Sequence, residues 1–141
     1  MLRVMVVDDE LLARKRLRRL LDEISGIEVV AEAENGRDAL TRAEEAKPAL
    51  VFMDIEMPVM NGLEATRAIK AESPDVKVVI LTMSDDEQDL FEAIKSGAEG
   101  YLLKNLREEE FADLVSRVGR GEPVMSPALA RKLLQEFSRL K

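Results

Sequence analysis

The sequence predicts an α/β protein built on an open, doubly wound parallel sheet. Three observations predict it. Five short apolar runs recur along the chain, each followed by a helical pattern. Such strict alternation requires parallel strands joined by right-handed crossovers. The runs also differ in character: the first, third and fourth are apolar almost throughout, as centrally buried strands are, whereas the second alternates.

The runs are 2–7, 27–33, 49–54, 77–82 and 100–104. In the second, Ile27, Val29, Ala31 and Ala33 oppose Glu28 and Glu32, the pattern of an edge strand with one wet face. Two edges and three central strands fit the order 2-1-3-4-5, a flavodoxin-like arrangement with helices on both faces. The helical stretches are 11–24, 36–46, 63–72, 86–96 and 108–118. Leu17, Leu20, Leu21 and Ile24 repeat at helical spacing in the first, and Leu90, Phe91 and Ile94 in the fourth. Lys47-Pro48 and Ser73-Pro74 stop the second and third helices, and Gly97 and Gly119 sit where helix C-terminal glycines belong.

After Gly119-Arg120-Gly121 the tail resumes with Ser126-Pro127, an N-cap followed by proline at the first helical position. Leu129, Leu133, Phe137 and Leu140 then form one stripe, expected to pack on the same chain, on a second subunit or on another domain. No repeat beyond the strand–helix unit and no low-complexity segment is visible.

Composition narrows the chemistry. A chain of 141 residues suits one domain with a short appendage, and 46% apolar with 35% charged residues is a globular balance. There is no cysteine, so no disulfide framework or thiolate chemistry. There is no histidine, which removes Ser-His-Asp catalysis and imidazole-ligated metals and assigns any phosphohistidine to another protein. The net charge of −7 opposes direct binding to DNA and anionic membranes. No apolar run reaches the ~20 residues of a membrane helix, and the start, MLRVMVVDDE, reads straight into a strand, so no signal peptide is expected. A cytoplasmic location is expected. Asn35, Asn61, Asn105, Gln88 and Gln135 are the only amide side chains, a scarcity that leans towards a thermophilic source.

In an open parallel sheet, ligands bind beyond the carboxyl ends of the strands where the winding reverses, here between strands one and three. Strand one ends in Asp8 and Asp9, strand three in Asp54, strand four in Thr82 and strand five in Lys104. Two unit charges ~4 Å apart repel by roughly 4 kcal/mol at an effective dielectric of ~20, so three converging carboxylates need a cation. A hard divalent ion suits oxygen ligands, and Mg²⁺ keeps one or two carboxylates, waters and a phosphate oxygen. With Mg²⁺ and Lys104 the formal charge sums to zero. Asp54 is then the nucleophile, the metal and Lys104 bind phosphoryl oxygens, and Thr82 donates a hydrogen bond to the product. Singly, each residue has a plainer use: Asp8-Asp9-Glu10 suits a helix cap, Asp54 a turn, Thr82 a strand and Lys104 a strand end. The five together, each at a strand's carboxyl end, carry the assignment.

VMVVDDE, VFMDIEMPVMNG, VVILTMS and GYLLK occur in the order and spacing of the receiver domain of bacterial two-component response regulators, which the chain resembles over about residues 2–120. The resemblance implies that Asp54 is phosphorylated by a histidine kinase and that Asp8, Asp9, Asp54 and the Glu56 backbone carbonyl hold Mg²⁺. It further implies that Tyr101 is the switch aromatic, turning inward as Thr82 moves towards the phosphoryl group; the plainer reading is an edge-strand aromatic. Asn105 stands where the family often has proline after the lysine.

SDDEQDLFEAIKSGAEGYLLKN, followed by RGEPVMSPALARKLL, resembles the NarL/FixJ subfamily, whose members carry a LuxR-type helix-turn-helix domain. LLARKRLRRLL resembles regulators with a LytTR-type domain instead. The expected organisation is a receiver over 1–121 and a linker helix over 122–141 leading to an effector domain absent from this chain. DNA would be reached only through that domain, and a homodimer could form on phosphorylation. Arg14, Lys15, Arg16, Arg18 and Arg19 read as the wet face of helix one, with kinase docking as the functional alternative. A stand-alone receiver acting by docking is the alternative function. A haloacid-dehalogenase-type phosphatase would need an Asp-x-Asp nucleophile on the first strand. Receivers turn over no external substrate, so the resemblance implies a switch that promotes only its own phosphorylation and dephosphorylation.

Overall fold

The computed structural model describes residues 1–83, 86–105, 107–122, 124–125 and 127–139. Ser126 and Leu140, expected as cap and end of the last apolar stripe, lie outside the described residues. Strands and helices alternate as β1 Leu2–Val7, α1 Leu11–Asp22, β2 Ile27–Ala33, α2 Gly36–Ala46, β3 Leu50–Met53, α3 Gly62–Glu72, β4 Lys77–Thr82, α4 Glu87–Lys95, β5 Gly100–Leu103, α5 Glu108–Gly119, β6 Val124–Met125 and α6 Pro127–Arg139. The first five strands take the expected order 2-1-3-4-5, all parallel.

Alternation within the central strands builds two cores. Met5, Val7, Val51, Met53, Val78 and Ile80 face α2, α3 and α4 on one side. Val4, Val6, Leu50, Phe52, Val79 and Leu81 face α1 and α5 on the other, where Phe52 and Phe111 meet with ring centroids 5.5 Å apart. Burial on both faces is why these strands read as continuous apolar runs. Asparagines start two helices: Asn35 Oδ1 accepts from the Asp38 N–H, and Asn61 forms a capping box with Glu64.

Three expectations need correction. First, β5 is not an edge. The two-residue β6 pairs beside it, Gly100 with Val124 and Tyr101 with Met125, making six strands. Second, β2 does not keep one wet face. The pairing steps from Val4–Val29 to Met5–Ala31, so Val30 is a bulge. Ile27 and Val29 therefore pack towards α1 and α5, whereas Ala31 and Ala33 pack on the opposite core. Third, Gly119 is helical, and Gly121, at φ +84°, takes the left-handed turn after α5.

The tail packs on its own chain. Leu129 is 3% exposed and joins the core that contains Tyr101, Leu90 and Ala93, with Leu133 packed beside it. Phe137 meets Phe91 of α4 edge-on at 6.0 Å. No described helix is long and apolar enough to cross a membrane.

Candidate functional site

The ladder hydrogen bonds continue one residue past the strand ends, and this sets the expected residues side by side. Asp8 N–H donates to Ala33 O at 3.1 Å, Asp54 N–H to Val7 O at 3.0 Å and Lys104 N–H to Thr82 O at 2.8 Å. Asp8, Asp54 and Thr82 are 4%, 7% and 3% exposed, so this is a buried polar floor at the carboxyl edge of the sheet. Asp9, Glu10, Asp54, Glu56, Thr82, Met83 and Lys104 line the cleft above it.

Both buried carboxylates are held at each oxygen. Asp8 Oδ1 accepts the Glu10 N–H at 2.9 Å, and its Oδ2 accepts Lys104 Nζ at 2.6 Å. Asp54 Oδ1 accepts the Ile55 N–H at 2.8 Å, and its Oδ2 accepts Lys104 Nζ at 3.3 Å. The plainer reading as a helix cap does not hold: Glu10 is the N-cap of α1 and no side chain caps it, whereas Asp8 orders the Glu10 peptide before the helix and holds Lys104, which lines the cleft. Burial pushes the Asp54 carboxyl above its ordinary range; the Lys104 charge pulls it back, the Asp8 charge pushes it further and the Ile55 N–H lowers it. For Lys104 burial favours the neutral amine, but the Asp8 hydrogen bond and the charges of Asp54 and Asp8 outweigh it and hold the ammonium above its usual value.

The donor set fits a hard divalent cation. Carboxylate oxygens of Asp8, Asp9 and Glu10 lie within 4.8 Å of one another, with no nitrogen or sulfur among them. This trio shares Asp8 and Asp9 with the expected ligand set and adds Glu10; Asp54 and Glu56 border the same cleft. Tyr101 lies away from the cleft floor, wholly buried in the core beneath α6.

Two residues carry more of the site than their sequence context suggested. A Cβ on Gly62 would meet the Asp54 carbonyl oxygen at 1.8 Å, so only glycine lets α3 start against the Asp54 backbone. Its place in VFMDIEMPVMNG was the signal available. Arg14, read as part of a wet face, is instead 13% exposed and donates from Nη1 to the Asp8 carbonyl at 2.6 Å. Lys15, Arg16, Arg18 and Arg19 are exposed as expected.

With this geometry in view, known proteins show clear similarities. A family model described as the response regulator receiver domain matches residues 4–116. The response regulator GacA of Pseudomonas protegens is 40% identical over 134 residues, 95% of this chain and 63% of that protein. The transcriptional regulatory protein DegU of Brevibacillus brevis is 37% identical, covering 99% of this chain and 59% of its own length. The chain thus spans about three-fifths of these relatives. Among solved structures, a LuxR-family two-component response regulator from Aurantimonas sp. matches with a TM-score of 0.89 and 32% identity, covering 99% of this chain and 98% of that one. The receiver domain of NarL from Mycobacterium tuberculosis matches with a TM-score of 0.81 and 29% identity over 86% of this chain and 98% of its own.

Proposed function

The chain belongs to the response regulator receiver family, and from that premise we propose that it accepts a phosphoryl group on Asp54 from a histidine kinase, with Mg²⁺ bound at the acidic cleft. The observation that carries this reading is the Asp8–Lys104–Asp54 cluster, held by strand-end hydrogen bonds at one wall of an open cleft. An Asp54 carboxylate oxygen forms the new P–O bond as the P–N bond of a phosphohistidine breaks, and the electron pair goes to the imidazole nitrogen. Lys104 already faces Asp54 Oδ2 and is poised to take a phosphoryl oxygen. Thr82 lines the same cleft, and in this reading its hydroxyl donates to the phosphorylated product. Asp8, Asp9 and neighbouring oxygens hold the metal, which would draw charge from the phosphoryl oxygens. The Glu56 backbone carbonyl is the further ligand in this reading.

The output is control of transcription through a segment beyond this chain, with 1–121 as the phosphoacceptor unit and 122–141 as the connection to it. Thr82 and the buried Tyr101 form the switch, and phosphorylation favours pairing of two receivers. The relatives support this reading: DegU is named a transcriptional regulatory protein and GacA a response regulator.

Acetyl phosphate with Mg²⁺, read by intact mass, tests the proposal. One added phosphate on the wild type and none on Asp54→Asn is the expected result. Full labelling of the variant, or labelling that survives removal of divalent metal, would overturn it.

A further inference from the structure

The turn that carries the acidic residues is fastened from behind by a cation. Arg14, in the first turn of α1, folds back so that Nη1 reaches the Asp8 main-chain carbonyl at 2.6 Å while Nε faces Glu32 Oε1 at 3.4 Å. The other Glu32 oxygen accepts from Arg18 Nη1 at 2.7 Å. The Asp8 carbonyl belongs to the same rigid peptide unit as the Asp9 N–H, so holding it sets the plane from which Asp9 departs. Asp9 itself is exposed.

Glu32 reaches this position because of the bulge at Val30. Ile27 and Val29 face α1 and α5, and strict alternation would send Glu32 to the opposite face. The extra residue reverses the parity and aims Glu32 at Arg14 and Arg18.

We propose that Arg14 is a positioning residue for the metal-binding turn: it holds the Asp8–Asp9 peptide so that Asp9 faces the cleft, and Glu32 holds Arg14. This rests on the reading of the cleft as a Mg²⁺ site. Charge alone argues the other way. A guanidinium beside a cation site repels the cation, so its removal by itself tightens binding. Weaker binding on removal therefore reports positioning.

The test is a Mg²⁺ titration of the whole chain followed by NMR at the Asp9 and Glu10 amides, with a metal-free urea unfolding curve for each variant. Wild type takes up Mg²⁺; Arg14→Met binds it about ten-fold more weakly, the scale on which groups that orient metal ligands act. Arg14→Lys keeps the charge but not the two-pronged reach, and it also binds more weakly. So does Glu32→Gln, which leaves Arg14 in place but loosens it. Should the methionine variant fail to fold, Arg14→Lys carries the same comparison at constant charge, whereas Glu32→Gln also removes an anion and is read only beside it. Folded variants that bind Mg²⁺ as tightly as wild type, or tighter, overturn the positioning role. A wild type that takes up no Mg²⁺ overturns the metal site itself.

Discussion

Lys104 faces Asp54 at 3.3 Å, and the carboxyl still stays above its ordinary range. The ammonium lies closer to Asp8, at 2.6 Å, so its charge is shared and burial of Asp54 is not fully offset.

Stability should therefore depend on pH through Asp54. A carboxyl raised in the folded state above the ordinary aspartate value of 3.8 costs stability wherever it is ionised. The cost is complete above the folded-state pKa. It fades as pH falls through that value and is gone below 3.8, where both states are protonated. Asp54→Asn should accordingly melt higher than wild type at pH 7, with the gain shrinking towards acid. Paired melting curves from pH 3 to pH 8 check this, and a variant that melts lower at pH 7 contradicts it.

Val59 sits at φ +71° with its side chain 76% exposed, in the loop between Asp54 and α3. A β-branched residue there is strained, and such strain costs on the order of 1–3 kcal/mol. Val59→Asn relieves it without adding the chain entropy of glycine. The expected gain is about 1 kcal/mol, read as a higher urea midpoint at constant slope. An unchanged or lower midpoint would mean that the loop bears no such strain.

Leu129 ties α6 to the core that contains Tyr101. Leu129→Ala should cost about 2–4 kcal/mol, as other buried leucine truncations do. Leu134→Ala, at a side chain 69% exposed, should cost under about 0.5 kcal/mol. Equal effects from the two substitutions would show that α6 contributes no packing to the receiver.

The strand order and the cleft were legible because both follow from residues whose neighbours leave little choice. β1, β3 and β4 are apolar on both faces, and strict alternation with helices leaves parallel pairing. The cleft followed because the switch point of the predicted order falls where Asp8 and Asp54 directly follow their strands. The bulge was not legible: Val29 and Val30 are both apolar, so nothing in the pattern marks where parity changes. β6 was missed because two residues hold no period. Arg14 was misread because helical periodicity places a side chain on a face but not the direction in which a long one folds back. Gly119 and Gly121 compete for one turn, and only the backbone angle separates them.

The sixth strand has a consequence for how these molecules coexist at high concentration. An open sheet presents two rims of unpaired backbone groups, each a template on which another chain can grow. β6 covers the outer rim of β5 at Gly100 and Tyr101, and at two residues it offers a recruit almost nothing to pair with before α6 begins. The opposite rim, β2, carries the exposed acidic Glu28 and is interrupted by the bulge at Val30. Both rims are thus blunted against edge-to-edge aggregation, one by a short lid of the chain's own backbone and the other by charge and irregularity.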